Sequence, residues 1–217
     1  IILPHFLGLF LSEVLTIVGL YILLGLGLNI VVGFAGLLDL GYVAFFAIGA
    51  YTTAILTSPE LGFFNLTFWQ ALPFSIIFGI LSGVLLGIPV LKMRGDYLAI
   101  ATLGFGEIIR ILVLSDFLRP WLGGAQGIVG IPLMSIGGYS FLQEINFWGL
   151  KLPSQANFYY LALVLGGLLT LAAYRLWNSW VGLTWNSFNE DTGDELSAQC
   201  MGVEVKKWSM IAFTVGN

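Results

Sequence analysis

Glu107 and Arg110 carry the first hint of chemistry in this chain. They stand three positions apart, which places both on one face if the segment is helical, and no other Asp, Glu, Lys or Arg falls within residues 97–114. A second carboxylate, Asp39, precedes Leu40-Gly41-Tyr42. It reads as the cap of a helix, where a negative group meets free N–H donors and the positive end of the dipole. The one histidine, His5, lies near the start of the chain, so no histidine-based catalytic site is expected. The single Cys200 excludes an internal disulfide and a multi-cysteine metal centre. No GxxxxGK[ST] loop is present, so ATP is not bound by that route. Gly104-Phe105-Gly106 has no strand before it and does not make a dinucleotide fingerprint. Neither an enzyme nor a cofactor or metal site is expected.

The elements that must position these residues are set by composition. Of 217 residues, 58% are hydrophobic and 9% charged, with a mean hydropathy of +0.95. A soluble domain carries roughly a quarter charged residues, so this chain cannot cover a water-facing surface. The net charge of −4 matters less than the position of each charge, and no basic patch points to nucleic acid. A spanning helix needs about 20 mostly apolar residues. Five runs approach that length: Val14–Gly33, Leu40–Thr57, Ala71–Leu91, Tyr97–Leu114 and Phe158–Tyr174. Trp208–Gly216 reads as the first half of a sixth, and residues 1–11 as the tail of an earlier span. The runs are apolar on every face, whereas barrel strands would alternate over about ten residues. The expected fold is all-α: one polytopic transmembrane helix bundle over 1–217, with about five spans and partial spans at its ends. Ile1 is not an initiator Met and Asn217 follows a new apolar run, so the sequence reads as a fragment of a longer protein, with no cleavable signal visible.

Lys and Arg near span ends set orientation. If residues 175–207 are cytoplasmic, that side holds Lys92, Arg94, Arg175, Lys206 and Lys207. The external loops 58–70 and 115–157 then hold Arg119 and Lys151, with Trp69, Trp121 and Trp148 suited to an interfacial belt. Recurrent small residues (Gly25, Gly27 and Gly33; Gly41 and Gly49; Gly79, Gly83 and Gly87) allow close helix packing. In the external loop, Gly123, Gly124, Gln126 and Gly127 read either as a mobile gate or as a turn. The stretch 175–207 is polar with a helical middle, Asp194–Met201, closed by Gly202. It suits either a helix docked in a partner's groove or a solvated connector.

In such a bundle Glu107 and Arg110 lie past the middle of the fourth span. A charge in hydrocarbon is expensive, so such residues face the interior and pair. Two readings stay open: a polar group beside a translocation route, and a structural ion pair pinning two helices.

Four ordered motifs then become familiar. Gly27-Leu28-Asn29-Ile30-Val31-Val32-Gly33-Phe34-Ala35-Gly36-Leu37-Leu38-Asp39-Leu40-Gly41 runs into Phe45-Phe46-Ala47-Ile48-Gly49-Ala50-Tyr51. Leu91-Lys92-Met93-Arg94-Gly95-Asp96-Tyr97-Leu98-Ala99-Ile100-Ala101-Thr102-Leu103 follows, then Gly106-Glu107-Ile108-Ile109-Arg110, then Gly123-Gly124-Ala125-Gln126-Gly127-Ile128 with Gly130-Ile131-Pro132. Over roughly residues 14–216 the chain resembles the M-type (LivM-like) permease subunits of branched-chain amino acid ABC importers. The resemblance implies a multi-pass protein of the bacterial inner (plasma) membrane supplying half of a pathway. It implies a second permease subunit, cytoplasmic ATP-binding subunits that hydrolyse ATP, and an extracytoplasmic solute-binding protein as partners. Residues 175–207 would be the coupling loop on an ATPase, with Gly182, Asp194, Glu195, Ala198 and Gly202 at the matching positions. The family reads like Gly-Arg-Ala and later Arg-Glu-Asp-Glu. Here Gly182-Leu183-Thr184 and Thr192-Gly193-Asp194-Glu195 stand instead, neither arginine is present, and Asn189-Glu190-Asp191 looks like an insertion.

The expected function is import of branched-chain or other neutral amino acids. Permeases of urea importers resemble this chain closely and stay open as an alternative. An ion-coupled secondary transporter, using Glu107 and Arg110 as coupling residues, is a second alternative, although no internal repeat of the kind such folds show is found. A non-transporting scaffold is the third.

Overall fold

The computed structural model describes residues 3–61, 64–93, 95–132, 134–136, 139–140, 145–147, 150–152, 154–189 and 193–217, with side chains described outside 3–10 and 136–156. The readings placed on Arg94, Trp148, Glu190, Asp191 and Thr192, and on the side chains of His5 and Lys151, lie outside these residues.

The described chain is nearly all helical. Its elements run α1 (Leu3–Leu28), a π-helical turn (Asn29–Phe34), α2 (Tyr42–Thr57), α3 (Phe68–Val90), α4 (Asp96–Leu114) and the short α5 (Arg119–Leu122). After a 3₁₀ turn at Gly124–Gln126 come two small antiparallel hairpins, β1 (Ser135–Ile136) with β2 (Tyr139–Ser140) and β3 (Ile145–Phe147) with β4 (Leu150–Leu152). The chain closes with α6 (Ser154–Trp177), α7 (Trp180–Phe188), α8 (Glu195–Cys200) and α9 (Val205–Gly216).

Among the described residues, four helical stretches are long and apolar enough to cross a membrane: Leu11–Phe34, Phe68–Val90, Asp96–Leu114 and Asn157–Trp177. The fifth expected span is shorter than its apolar run, because α2 starts at Tyr42 and has 16 residues. At 1.5 Å per residue it measures about 24 Å, less than the roughly 30 Å of a hydrocarbon core. The ends also differ from expectation. Residues 3–11 do not form a separate tail but run unbroken into α1, with Pro4 in the first turn, where its missing N–H costs nothing. Much of α3 points apolar side chains outward, among them Ile76, Phe78, Leu81 and Leu85, while Ala71, Leu86 and Val90 are buried.

Local signals account for the boundaries. Gln70 Oε1 accepts from the N–H of Thr67 at 3.1 Å, the return half of a capping box that starts α3. Gly95, at φ 53°, makes the turn into α4, and Asp96 in the first turn suits the positive end of that helix. At the end of α8, Val203 N–H bonds Ala198 O and Gly202 N–H bonds Gln199 O, a Schellman closure with Gly202 at φ 89°.

The chain divides into two compact units. One comprises residues 1–26 and 133–173. Within it α1 and α6 approach closely at Gly19, where an added Cβ would lie 2.9 Å from that of Ala162. The other comprises residues 27–132 and 174–217. Its core has two clusters: Val31, Phe45, Leu86, Val90, Leu98 and Phe213 in one, and Ala35, Trp185, Phe188, Ala198, Val205 and Ala212 in the other. This unit holds every candidate site residue.

Candidate functional site

The site is built around residues 35–41, where the chain leaves the π-helical turn and runs without regular structure to α2. Irregular backbone leaves donors and acceptors that must be satisfied some other way. Here Gly36 and Leu37 N–H reach back to Val32 O and Val31 O at 3.1 Å each. Leu40 N–H donates to Thr102 Oγ1 on α4 at 3.0 Å, and Gly41 N–H donates to Asp39 Oδ1 at 2.7 Å. Asn217 Nδ2 at the end of α9 donates to Asp39 Oδ2 at 2.8 Å. Asp39 is 1% exposed. A carboxylate taken out of water is tolerable only when donors converge on it, and both its oxygens are engaged.

Asp39 is therefore not the N-cap of α2. Gly41 holds that position, and Asp39 acts two residues earlier by closing a turn on the Gly41 N–H. Gly41 is required by a close approach: a Cβ there would collide with the Thr102 carbonyl. The unwound segment can cross α4 at this point only because nothing projects from residue 41.

Five and eight residues beyond Thr102, α4 presents Glu107 and Arg110. Arg110 Nε donates to Glu107 Oε2 at 2.9 Å and Arg110 Nη2 to Glu107 Oε1 at 2.6 Å, a two-point pair within one helix. The pinning of two helices considered above is not what the pair does in this chain. Glu107 lies about 16 Å along α4 from Asp96, past the midpoint of a 19-residue helix. The side chains are 51% and 63% exposed, so the pair is displayed rather than enclosed. It lines an open groove of about 500 Å³ between α2 and α4, with Gly41, Ala47, Tyr51, Leu103, Gly106 and Val113 among the walls.

The other expected positions lie elsewhere in the same unit. Gly123, Gly124 and Gly127 all have positive φ and fold the run into consecutive turns at the end of α5, with Gly124 buried and Gln126 exposed. Ser58 Oγ donates to Val129 O at 3.0 Å, which ties the run to the end of α2.

Within 175–207 the structure adds a helix that hydropathy does not reveal, α7. Gly182 allows it to turn tightly off α6, since a Cβ there would strike the Trp177 carbonyl. Trp185 is fully buried and donates its indole N–H to Trp208 O at 3.0 Å. Asp194 caps α8: it accepts from Leu196 N–H at 3.2 Å, Ser197 N–H at 3.3 Å and Ser197 Oγ at 2.6 Å. The Ser197 hydroxyl, and then the Leu196 N–H, hold the Asp194 carboxyl below its ordinary value of 3.8. Glu195 lines a cavity of about 260 Å³ with Gly36, Leu37, Lys92, Phe188 and Lys206, while Ala198 is buried beneath it in the core. Among the described residues no cluster of His, Cys, Asp or Glu could hold a metal ion.

The family model for the branched-chain amino acid transport system permease component matches residues 10–216, all of this arrangement except Asn217. The chain belongs to that permease family. Two relatives are the high-affinity branched-chain amino acid transport system permease proteins LivM of Escherichia coli (strain K12) and of Salmonella typhimurium. Each is 40% identical over 215 aligned residues, covering 94% of this chain and 48% of the relative. The chain thus spans about half the length of the curated relatives it matches. No solved structure matches it. The permease chain's membership accounts for its stack of apolar helices. Asp39, Glu107 and Arg110 stand out in the sequence as candidates, whereas Thr102 stands there only as one residue of a motif, Asn189 only in the apparent insertion, and Asn217 not at all.

Proposed function

We propose that this chain contributes one side of a transmembrane pathway for branched-chain or other neutral amino acids, in an importer driven by ATP hydrolysis on partner subunits. The observation that carries the reading is the Glu107–Arg110 pair, displayed past the midpoint of a spanning helix in the α2–α4 groove. Such charges are expensive against lipid and belong against protein or a water-filled route. The groove is mostly apolar and its two formal charges neutralise each other, which suits a solute without net charge. Family membership and the relatives' names support the solute class.

The partners follow from the same reading: a second permease subunit across the groove, ATP-binding subunits on the cytoplasmic side and a solute-binding protein outside, in the bacterial inner membrane. Residues 175–207 face the cytoplasm, and 58–70 and 115–157 the outside, in agreement with the distribution of Lys and Arg. The α7–α8 stretch, with Gly182, Asp194, Glu195, Ala198 and Gly202, is then the part that meets an ATP-binding subunit, and 123–127 contributes to the outer gate. The protein has one permease domain serving one pathway.

Purification of the full-length protein from its native membrane in mild detergent, followed by identification of copurifying chains and reconstitution, tests this. Copurifying ATP-binding and second permease subunits, and ATP-dependent uptake of leucine, are the expected result. Uptake that needs an ion gradient and no ATPase contradicts it, and ATP-dependent uptake of urea in place of leucine overturns the solute class.

A further inference from the structure

The π-helical turn has a second set of partners. A π turn displaces its carbonyls from the regular i→i+4 ladder, and such turns recur at functional sites. Gly33 O and Phe34 O, at its end, both accept from the side-chain amide of Asn189, at 3.1 Å each. Asn189 is the C-terminal residue flanking α7, about 155 positions away in sequence, and is 4% exposed. It also falls where the family resemblance places an insertion.

This amide joins two elements that also meet through apolar packing of Ala35 and its neighbours with Trp185 and Phe188. Its position makes a continuous polar path. From α7 it passes through Asn189 to Gly33 and Phe34, then along the irregular segment 35–41. From there Leu40 bonds Thr102 on α4, while Asp39 bonds Asn217 on α9. Thr102 stands five residues before Glu107 on the same helix. α7 is also held to α9 by Trp185 and Trp208, so a displacement of α7 is transmitted at both ends of the 35–41 segment.

We propose that Asn189 is a positioning residue, a clasp that transmits movement of the α7–α8 stretch to the unwound segment lining the α2–α4 groove. The proposal rests on the permease reading for what the movement accomplishes, but the clasp itself is a property of the fold. Apolar contact alone lets two elements slide, because it is non-directional. Two hydrogen bonds from one planar amide fix both distance and orientation. Without Asn189 the carbonyls of Gly33 and Phe34 lose this partner, and α7 can move without carrying residues 35–41 with it.

The test uses the full-length protein with its partner subunits in lipid nanodiscs, comparing wild type with Asn189→Leu and Asn189→Asp. Both variants approximate the size of Asn and remove the amide donors. Hydrogen exchange of residues 35–41 is expected to rise by about tenfold in each, the order of one to two net hydrogen bonds, with exchange in α3 unchanged. Solute moved per ATP hydrolysed is expected to fall by about as much, with copurification of the partners intact. Unchanged exchange at 35–41 in both variants overturns the clasp, whatever happens to transport. Exchange that rises throughout α3, α4 and α9, with uptake and ATP hydrolysis falling in proportion, overturns it too, because Asn189 is then only a general stabiliser. Wild-type protein that shows no ATP-driven uptake contradicts the permease reading, while the exchange measurement still decides the clasp.

Discussion

Asp39, beside the lining residues Leu40 and Gly41, and Glu107, in the lining itself, are carboxylates that the fold treats in opposite ways. Asp39 is enclosed, with its oxygens held by a backbone N–H next to it and by an amide from the far end of the chain. Glu107 is displayed, with its oxygens held by Arg110 one turn along its own helix. The first arrangement fixes the relation between elements, because its donors come from different parts of the chain. The second fixes nothing within the chain and leaves a charged pair directed outward. Asp39 therefore belongs to the framework, and the Glu107–Arg110 pair to what the framework presents.

That contrast can be broken in order of expected effect. Asp39→Leu leaves the Gly41 N–H and the Asn217 amide without their carboxylate, at a cost of about 3 kcal/mol for two buried donors. It is expected to lower the thermal midpoint of the detergent-purified full-length protein sharply, with Asp39→Asn, which keeps one acceptor oxygen, lying between. A wild-type midpoint for Asp39→Leu means that the carboxylate is not structural. Gly41→Ala forces residue 41 away from the Thr102 carbonyl, at about 2 kcal/mol for overpacking, and the same midpoint measures it.

Glu107→Gln sharpens the comparison from the other side. Its effect on the midpoint is expected to be small, while uptake falls by about tenfold, the scale of one lost hydrogen bond to a charged group. Glu60→Gln, in the turn after α2, should leave uptake close to wild type. Equal uptake in both variants removes Glu107 from the pathway.

The smallest effect concerns the cap of α8. The folded carboxyl of Asp194 is held below its ordinary value. Its contribution is therefore full above the ordinary, unfolded value of 3.8 and is lost as pH falls through the lower folded value. Hydrogen exchange at Leu196 and Ser197 should rise on acidification in wild type, and in Asp194→Ala it should be high already at neutral pH. Identical exchange in the two proteins at pH 7 contradicts the capping role.

Much of the fold was legible because hydropathy is summed over some twenty residues and tolerates local error. The end of α8 at Gly202 was legible for another reason, since a left-handed residue after a helical run has few identities. α7 was hidden because Trp180, Gly182 and Thr184 give no clear helical pattern, and its packing against α6, α9 and the π turn decides its state. The glycine runs show the limit of spacing arguments. Gly41 is indispensable at the α4 crossing, while a Cβ added at Gly25, Gly49 or Gly79 would meet nothing within 4 Å among the described residues. The Glu107–Arg110 pairing could be read from three residues of spacing. The distant partner of Asp39 could not, since Asn217 lies 178 positions away and nothing local marks it.

Whether the groove presenting this pair is a wetted pathway or a lipid-facing surface is open to direct measurement. In a Cys200→Ser background, Gly106→Cys and Val113→Cys on the groove and Leu81→Cys on the outer face of α3 are compared in native membranes with all partners present. Each is exposed to a small, charged, membrane-impermeant thiol reagent. The two groove positions are expected to react, and to be protected by transported solute, while residue 81 stays inert. Groove positions as unreactive as residue 81, with assembly intact, would contradict the account.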